Sequence, residues 1–405
     1  MGLRANVILV CLLLPCLLCC GCRTAGFDIE ELGFVQISAF DRTDDGLIQV
    51  SVQIAKPFAI TSSAGPPIDE KPYWTVSSTG QTCYQAIRNL STQSPRIIFW
   101  GHNRLTLLGE NMAKSGVSEV LDLLQRNHEV RSSMDVMSVR NASIDEVMAT
   151  MFELERQPVK GFFGLLWSIQ RRNSTSFPQS VLELSRKIET EGMEPVIPSV
   201  EVVNRSDEET AAPGQLREEV VMDSVRINGM AAFKEDKLVG WLADRESRGV
   251  LWVLGKAQRG ILVIRDPRDD NNLISIRIGA SSSKIVPEIV DDRPVIRVVV
   301  EAEGDPLEID GDASFLHHPE IWASMERRMA AVIRNEIQMA LTAGQQQFQS
   351  DIFGFGRAFY SKYPHEWQLI KDNWDNIFPT LEVQLDIIAN LKEPGLTVEG
   401  VRQAQ

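Results

Sequence analysis

The sequence predicts an α+β protein with mainly antiparallel or mixed sheets and a long amphipathic helix near its C-terminus. Three observations predict it. Apolar and polar residues alternate over Leu47 to Ile54 and similar runs, the pattern of a half-buried strand. Apolar residues recur at three- and four-residue spacing elsewhere, most clearly from Trp322 to Leu341, the pattern of a helix with one buried face. The length of 405 residues, 43% hydrophobic and 24% charged, allows a sizeable core but exceeds one ordinary domain, so two or three domains are expected.

The chain opens on an export signal. Arg4 precedes an apolar run from Val7 to Cys20, too short for a membrane span of roughly 20 apolar residues and well matched to a signal-peptide core. It closes on Leu18-Cys19-Cys20-Gly21-Cys22. A lipoprotein signal peptidase needs a small residue before a cysteine that already carries a diacylglyceryl group, and Gly21 before Cys22 meets that need. Residues 1–21 are therefore read as the signal peptide and Cys22 as the lipidated N-terminus. Two acyl chains hold a membrane stably where one holds it marginally. Bacterial lipoproteins usually carry Leu three places before that cysteine; here Cys19 stands there, with Leu18 one place earlier. Cys20 is the poorer cut, because Cys19 would fill the small position. The alternatives are an uncleaved transmembrane helix interrupted by Pro15, a released secreted protein and a buried core helix.

Leu32 to Ile37 and Leu47 to Ile54 follow as strands around the turn Asp44-Asp45-Gly46. A lone hairpin is not stable, so these strands must join a sheet built later in the chain. Lys56 to Gly80, rich in Pro, Gly and Ser, separates them from a mixed segment. There Thr82 to Leu90 reads as helix, Ile97 to Trp100 and Leu105 to Leu108 as strands, and Val117 to Leu124 as a helix face. Met134 to Val139 reads as a strand, and Ser143 with Glu146 as a capping box opening a helix through about Leu154. Helices near Phe162 to Gln170 and Val181 to Glu191 come next, the second closed by Gly192; Pro195, Pro198 and the polar run Asn204 to Arg217 end the segment.

Strands resume at Ser224 to Phe233 and Leu238 to Leu242, then a helix over Asp244 to Leu254 that Gly249 weakens. Gly260 to Ile264, Leu273 to Ile278 and Val295 to Ala302 read as strands with which the N-terminal hairpin could pair. Trp322, Met325, Met329, Val332, Ile333, Ile337 and Leu341 mark the long helix. Pro364 starts a second helix, with Trp367, Ile370, Trp374, Ile377 and Phe378 on one face, and Pro379 stops it; Leu381 to Leu391 is a closing strand.

Charge and cysteine use exclude several chemistries. A net charge of −14 argues against nucleic acid and against an electrostatic hold on anionic lipid. Of six cysteines, Cys11, Cys16, Cys19 and Cys20 leave with the signal and Cys22 is lipidated; Cys83 remains, so neither an internal disulfide nor a cysteine zinc site can form. His317 and His318 are adjacent, and adjacent side chains do not converge on one metal. The acidic runs Asp266 to Asp270 and Asp291-Asp292 read as solvated turns. Walker-type loops, a Gly-x-Ser-x-Gly elbow and a His-Glu-x-x-His helix are absent from the sequence. Gly354 and Gly356, with no lysine following, are read as allowing close packing of Phe353 and Phe355 rather than as a phosphate cradle. Trp367, Trp374 and Phe378 admit two readings, a core stripe or an exposed aromatic face for a partner; with Phe353 and Phe355 they are the candidate partner contact.

Several fragments together resemble the spore germination receptor C-subunit lipoproteins, the Ger(x)C family. They are Asp351 to Gly356 (DIFGFG), Tyr363-Pro364, Trp367, Ile370-Lys371 and Trp374 to Phe378. Further matches are Gly229 to Phe233, Lys237 to Gly240, Arg248 to Trp252 before Gly255-Lys256, and Trp100-Gly101-His102 with Ala113. The resemblance runs in order from Cys22 to about Leu391; it departs at Arg23-Thr24, where the family often carries Trp-Asp. It implies three α+β domains without catalytic activity. Residues 22–56 plus 218–285 would form a discontinuous membrane-proximal domain, 57–203 the second and 286–395 the third. It also implies assembly with the integral membrane A and B subunits of a nutrient germinant receptor, on the outer face of the spore inner membrane. No cofactor is expected beyond the diacylglyceryl and N-acyl lipid on Cys22, and no metal. The alternatives are a solute-binding lipoprotein, needing a cleft between two similar parallel-sheet domains, and a membrane-held cell-wall hydrolase, for which no catalytic constellation is present.

Overall fold

The computed structural model describes residues 27–56, 71–152, 154–203, 224–309 and 318–392. The signal at 1–21, Cys22, the run 204–217 and His317 lie outside them. The expected α+β class holds: helices pack on two sheets, one of nine strands and one of four.

The larger sheet begins with the expected hairpin, β1 (Leu32–Arg42) and β2 (Ile48–Ala55), antiparallel and joined through the Gly46 turn. β3 (Tyr73–Gly80) adds to β2. On its other edge β1 runs parallel to β5 (Leu105–Leu108), and the short β4 (Ile97–Phe99) pairs with its start. β6 (Asp135–Val139) and β7 (Val196–Val203) continue in parallel, and β8 (Ser224–Lys234) and β9 (Lys237–Leu242) close the sheet in antiparallel fashion.

Helices cover both faces of this sheet, and for that reason its central strands are buried on both sides, with Ser38, Thr106, Ser138 and Ser199 buried among the apolar residues. α1 (Cys83–Leu90), α2 (Glu110–Ser115), α3 (Ser118–Arg126) and α6 (Val181–Ile188) share a buried cluster with Val35, Phe40, Val50 and Val136. α4 (Ile144–Ala149) and α5 (Pro158–Ser168) share another with Ile37, Ala39, Leu107 and Val139. α4 opens on the expected Ser143–Glu146 capping box but stops well short of Leu154.

α7 (Asp244–Val253) leads to the smaller sheet of β10 (Ile261–Arg265), β11 (Leu273–Val290), β12 (Arg293–Ile309) and β13 (Glu382–Leu391). β11 and β12 form a long hairpin whose two-residue turn, Asp291-Asp292, has φ of +49° and +59°, as the hairpin twist requires. α8 (Pro319–Leu341) contributes Met325, Met329, Ile333 and Ile337, all fully buried, to the core it shares with this sheet. Each such side chain contributes about 1.5–3 kcal/mol.

Three expectations need correction. The 22–56 plus 218–285 segment is not separate from 57–203, since strands from both make the single nine-stranded sheet, and the hairpin pairs with β3, β4 and β5 rather than with the second-half strands. Local alternation identifies a strand but not its neighbour. The 285/286 boundary falls inside β11, whose register with β12 runs on to Val290. The helix expected from Pro364 through Phe378 is broken into α10 (Pro364–Ile370) and α11 (Trp374–Ile377), with a tight turn between them. A continuous helix would set positions 367 and 374 about 10 Å apart along its axis. The break brings the Trp367 and Trp374 rings to 5.2 Å, edge to face.

Candidate functional site at the junction of the sheets

The residues between α8 and α10 form a seam against the larger sheet. After α8 the chain turns through Ser350 to Gly354 into α9 (Phe355–Lys362). The Ser350 hydroxyl donates to the Phe233 carbonyl of β8 at 2.5 Å, and the Glu194 N–H donates to the Asp351 carbonyl at 2.9 Å. The Arg357 N–H reaches the Gly192 carbonyl at 2.8 Å. Gly192 and Gly356 meet backbone to backbone: a Cβ on Gly356 would stand 2.7 Å from Gly192 Cα, and Gly192 itself holds φ +73°.

The Asp351 carboxylate organises the turn. It is only 4% exposed, and accepts hydrogen bonds from the N–H of Phe355 (3.0 Å), the N–H of Gly356 (2.7 Å) and Trp374 Nε1–H (3.1 Å). Burial outweighs these donors and pushes its pKa up to about 6. Glu194, beside it, accepts the Glu235 N–H at 2.6 Å; burial, reinforced by the charges of Asp351, Asp375 and Glu235, pushes it up to about 7. A cleft of about 270 Å³ opens here, lined by Glu191, Glu194, Glu235, Asp351, Asp372 and Asp375 together with Lys371 and the rings of Trp367, Trp374 and Phe378.

The five aromatics expected as a partner contact are core, which corrects that expectation. Phe353, Phe355, Trp367 and Phe378 are at most 1% exposed and Trp374 6%. Phe353 stacks on Phe355 at 5.0 Å, and Trp374 packs against Phe359 and Phe378. For Trp367, Trp374 and Phe378 the core stripe is the favoured of the two readings, and closure against Gly192 and Met193 decides for it.

A second seam joins α7 to α8. The Arg248 guanidinium pairs with Glu336 through two nitrogens, its Nε at 2.9 Å, and Trp252 Nε1–H donates to the same carboxylate at 2.9 Å. Glu336 is 2% exposed. Gly249 lets the helices meet, because a Cβ there would lie 2.1 Å from the Glu336 carbonyl oxygen; the glycine that appeared to weaken α7 is its contact point. Glu336 was missed, although it falls on the stripe of Met329, Ile333 and Ala340, where an unpaired charge has no place. Asp266 was misread as solvated: it is fully buried and paired with Arg268 at 2.6 Å, which holds its carboxyl low despite burial.

Cys83 is free and buried, and burial pushes its thiol up to about 12, which disfavours the reactive thiolate. Among the described residues no cluster of His, Cys, Asp and Glu could hold a metal ion, and no helix is long and apolar enough to cross a membrane.

One side of each seam, Asp351 to Gly356 and Arg248 to Trp252, comes from fragments that carry the resemblance, and the matched Trp100 and Ala113 are core as well. Residues 27–202 match the family described as "Spore germination protein N-terminal domain", and residues 228–395 match "Spore germination B3/ GerAC like, C-terminal". The chain belongs to the Ger(x)C family. This Ger(x)C chain is similar to Spore germination protein KC of Bacillus subtilis (strain 168), 23% identical over 97% of each chain. It is also similar to Spore germination protein B3 of the same organism, 24% identical over 91% of this chain and 92% of that one. Its fold is similar to that in the crystal structure of the GerBC protein, with a TM-score of 0.56 at 20% identity over 90% of this chain and 99% of the other.

Proposed function

We propose that this Ger(x)C chain is the lipid-anchored, non-enzymatic C subunit of a nutrient germinant receptor. On this reading Cys22 carries the diacylglyceryl and N-acyl groups, the body lies on the outer face of the spore inner membrane, and integral A and B subunits are its partners. The observation that carries the reading is the match along nearly the whole chain to spore germination proteins. Tethering supports it physically: an anchor confines the body beside its membrane partners and raises its effective concentration, so weak contacts suffice. The buried carboxylates and aromatics of the two seams are spent on internal pairing, which suits a body that works by position rather than by turnover.

Replacing Cys22 by Ala in the spore is expected to leave a folded protein and to weaken nutrient-triggered germination severely; unchanged germination overturns the proposal. The alternative, nutrient capture by a solute-binding lipoprotein, calls for two similar parallel-sheet domains. The two sheets here differ in strand number and in pairing. Micromolar binding of germinant amino acids or sugars in calorimetric titration would favour capture instead.

A further inference from the structure

A different face of the junction is strongly cationic. α5 runs into a widened turn over Ile169–Asn173, closed by the Ser174 N–H on the Ile169 carbonyl at 2.8 Å. Ser174 pins that turn to the smaller-sheet side, its hydroxyl accepting the Gln258 N–H at 2.8 Å and donating to the Gln258 carbonyl. Gly260 seals the contact, since a Cβ there would lie 2.8 Å from the Asn173 carbonyl oxygen. Above this contact opens a cleft of about 740 Å³ lined by Arg171 and Arg172 from one side and Arg259 and Arg277 from the other.

These four guanidiniums are poorly neutralised. Arg277 pairs with Asp305 at 2.8 Å and Arg171 lies over the Trp167 ring at 4.8 Å. Among the described residues Arg171, Arg172 and Arg259 form no ion pair. In a chain of net charge −14 such a concentration of positive charge is a local exception. Arg259 adds a second sign: its φ of +61° is a conformation that glycine or asparagine adopts more readily, yet an arginine occupies it. Beside the cleft, Ile261 and Val263 project from the outer face of β10, 42% and 49% exposed, and Ile261 is paired in register with Arg277.

We propose that this cleft binds a phosphate-bearing anion. Guanidinium forks match phosphate oxygens in paired hydrogen bonds, and an anion shared among them relieves the repulsion between like charges. The same chemistry could be offered by a free phosphorylated solute or by an anionic phospholipid headgroup, for which the apolar edge of β10 would meet the acyl boundary. The site does not depend on the lipid at Cys22 or on the receptor reading.

The test follows arginine modification by phenylglyoxal, mapped by mass spectrometry on the full chain. One arm adds inorganic pyrophosphate; the other presents phosphatidylcholine vesicles with or without phosphatidylglycerol. At least one arm is expected to slow modification of Arg171, Arg172 and Arg259 by about tenfold or more, and to lose that effect as salt is raised. Protection by pyrophosphate assigns the site to a free anion, and protection only by phosphatidylglycerol assigns it to a headgroup; either supports the proposal. The double variant Arg172→Gln/Arg259→Gln, at exposed positions without ion pairs, is expected to keep its thermal midpoint and to remove protection of Arg171. No protection in either arm, or protection of Arg171 that survives in the double variant, overturns it.

Discussion

The two seams solve one problem, joining a helix-and-strand unit to its neighbour across a buried carboxylate, in opposite ways. Glu336 meets a guanidinium and an indole N–H. Asp351 meets two backbone N–H groups and an indole N–H, with Glu194 nearby and no ion pair of its own among the described residues. A matched pair is secure while both partners stand and costly once one is lost. A carboxylate held by neutral donors loses less on amidation, and with its pKa raised by burial it stabilises the fold less as pH rises through that value.

The largest effect is expected at the matched seam. Replacing Glu336 by Ala leaves the largely buried Arg248, 13% exposed, without a counter-charge, and should lower unfolding stability by about 3–5 kcal/mol in denaturant titration. Replacing the pair together, Glu336→Leu with Arg248→Met, should restore most of that loss, except about 1–3 kcal/mol for the Trp252 N–H left without an acceptor. If the double variant is as unstable as the single one, the ion pair is not what secures this seam.

Next comes Gly249→Ala, which forces α7 away from α8 and should lower stability by about 1–3 kcal/mol. Asp351→Asn should be milder at neutral pH, about 1–2 kcal/mol, because an amide keeps one acceptor for the N–H donors and removes a buried charge. The smallest effect is a slope. Asp351 and Glu194 are raised from ordinary values of 3.8 and 4.5 to about 6 and about 7. The folded chain therefore holds more protons than the unfolded chain in this window, and their contribution to stability falls as pH rises from about 4 to about 7. Unfolding midpoints near pH 5 and pH 7.5 should show this fall, and Asp351→Asn with Glu194→Gln should flatten it. An unchanged slope in the double variant would place the titrating groups elsewhere.

Much of the fold was legible where structure is local. The β1–β2 hairpin, the Ser143–Glu146 box and the stripe of α8 all stand where periodicity and capping chemistry put them. What escaped depends on partners distant in the chain. β1 pairs with β5, nearly seventy residues further on, as in Ile37 with Leu105. The second half of β11 carries Ser281, Ser282, Ser283 and Pro287, weak strand formers recruited by the register with β12. The seams were visible as fragments but not as seams: Trp367 and Trp374 fit a stripe whether it faces core or solvent, and only the Gly192 backbone opposite shows which.

At Gly192 and Gly356 no side chain cushions the contact, and Val196, Met230 and Leu242 of the larger sheet share one buried cluster with Ile276, Val298 and Ile337. Among the described residues the two halves are therefore geared together with little slack: a push on one strand array reaches the other through main chain and close-packed core. Contact of this kind leaves the two sheets to move as one body.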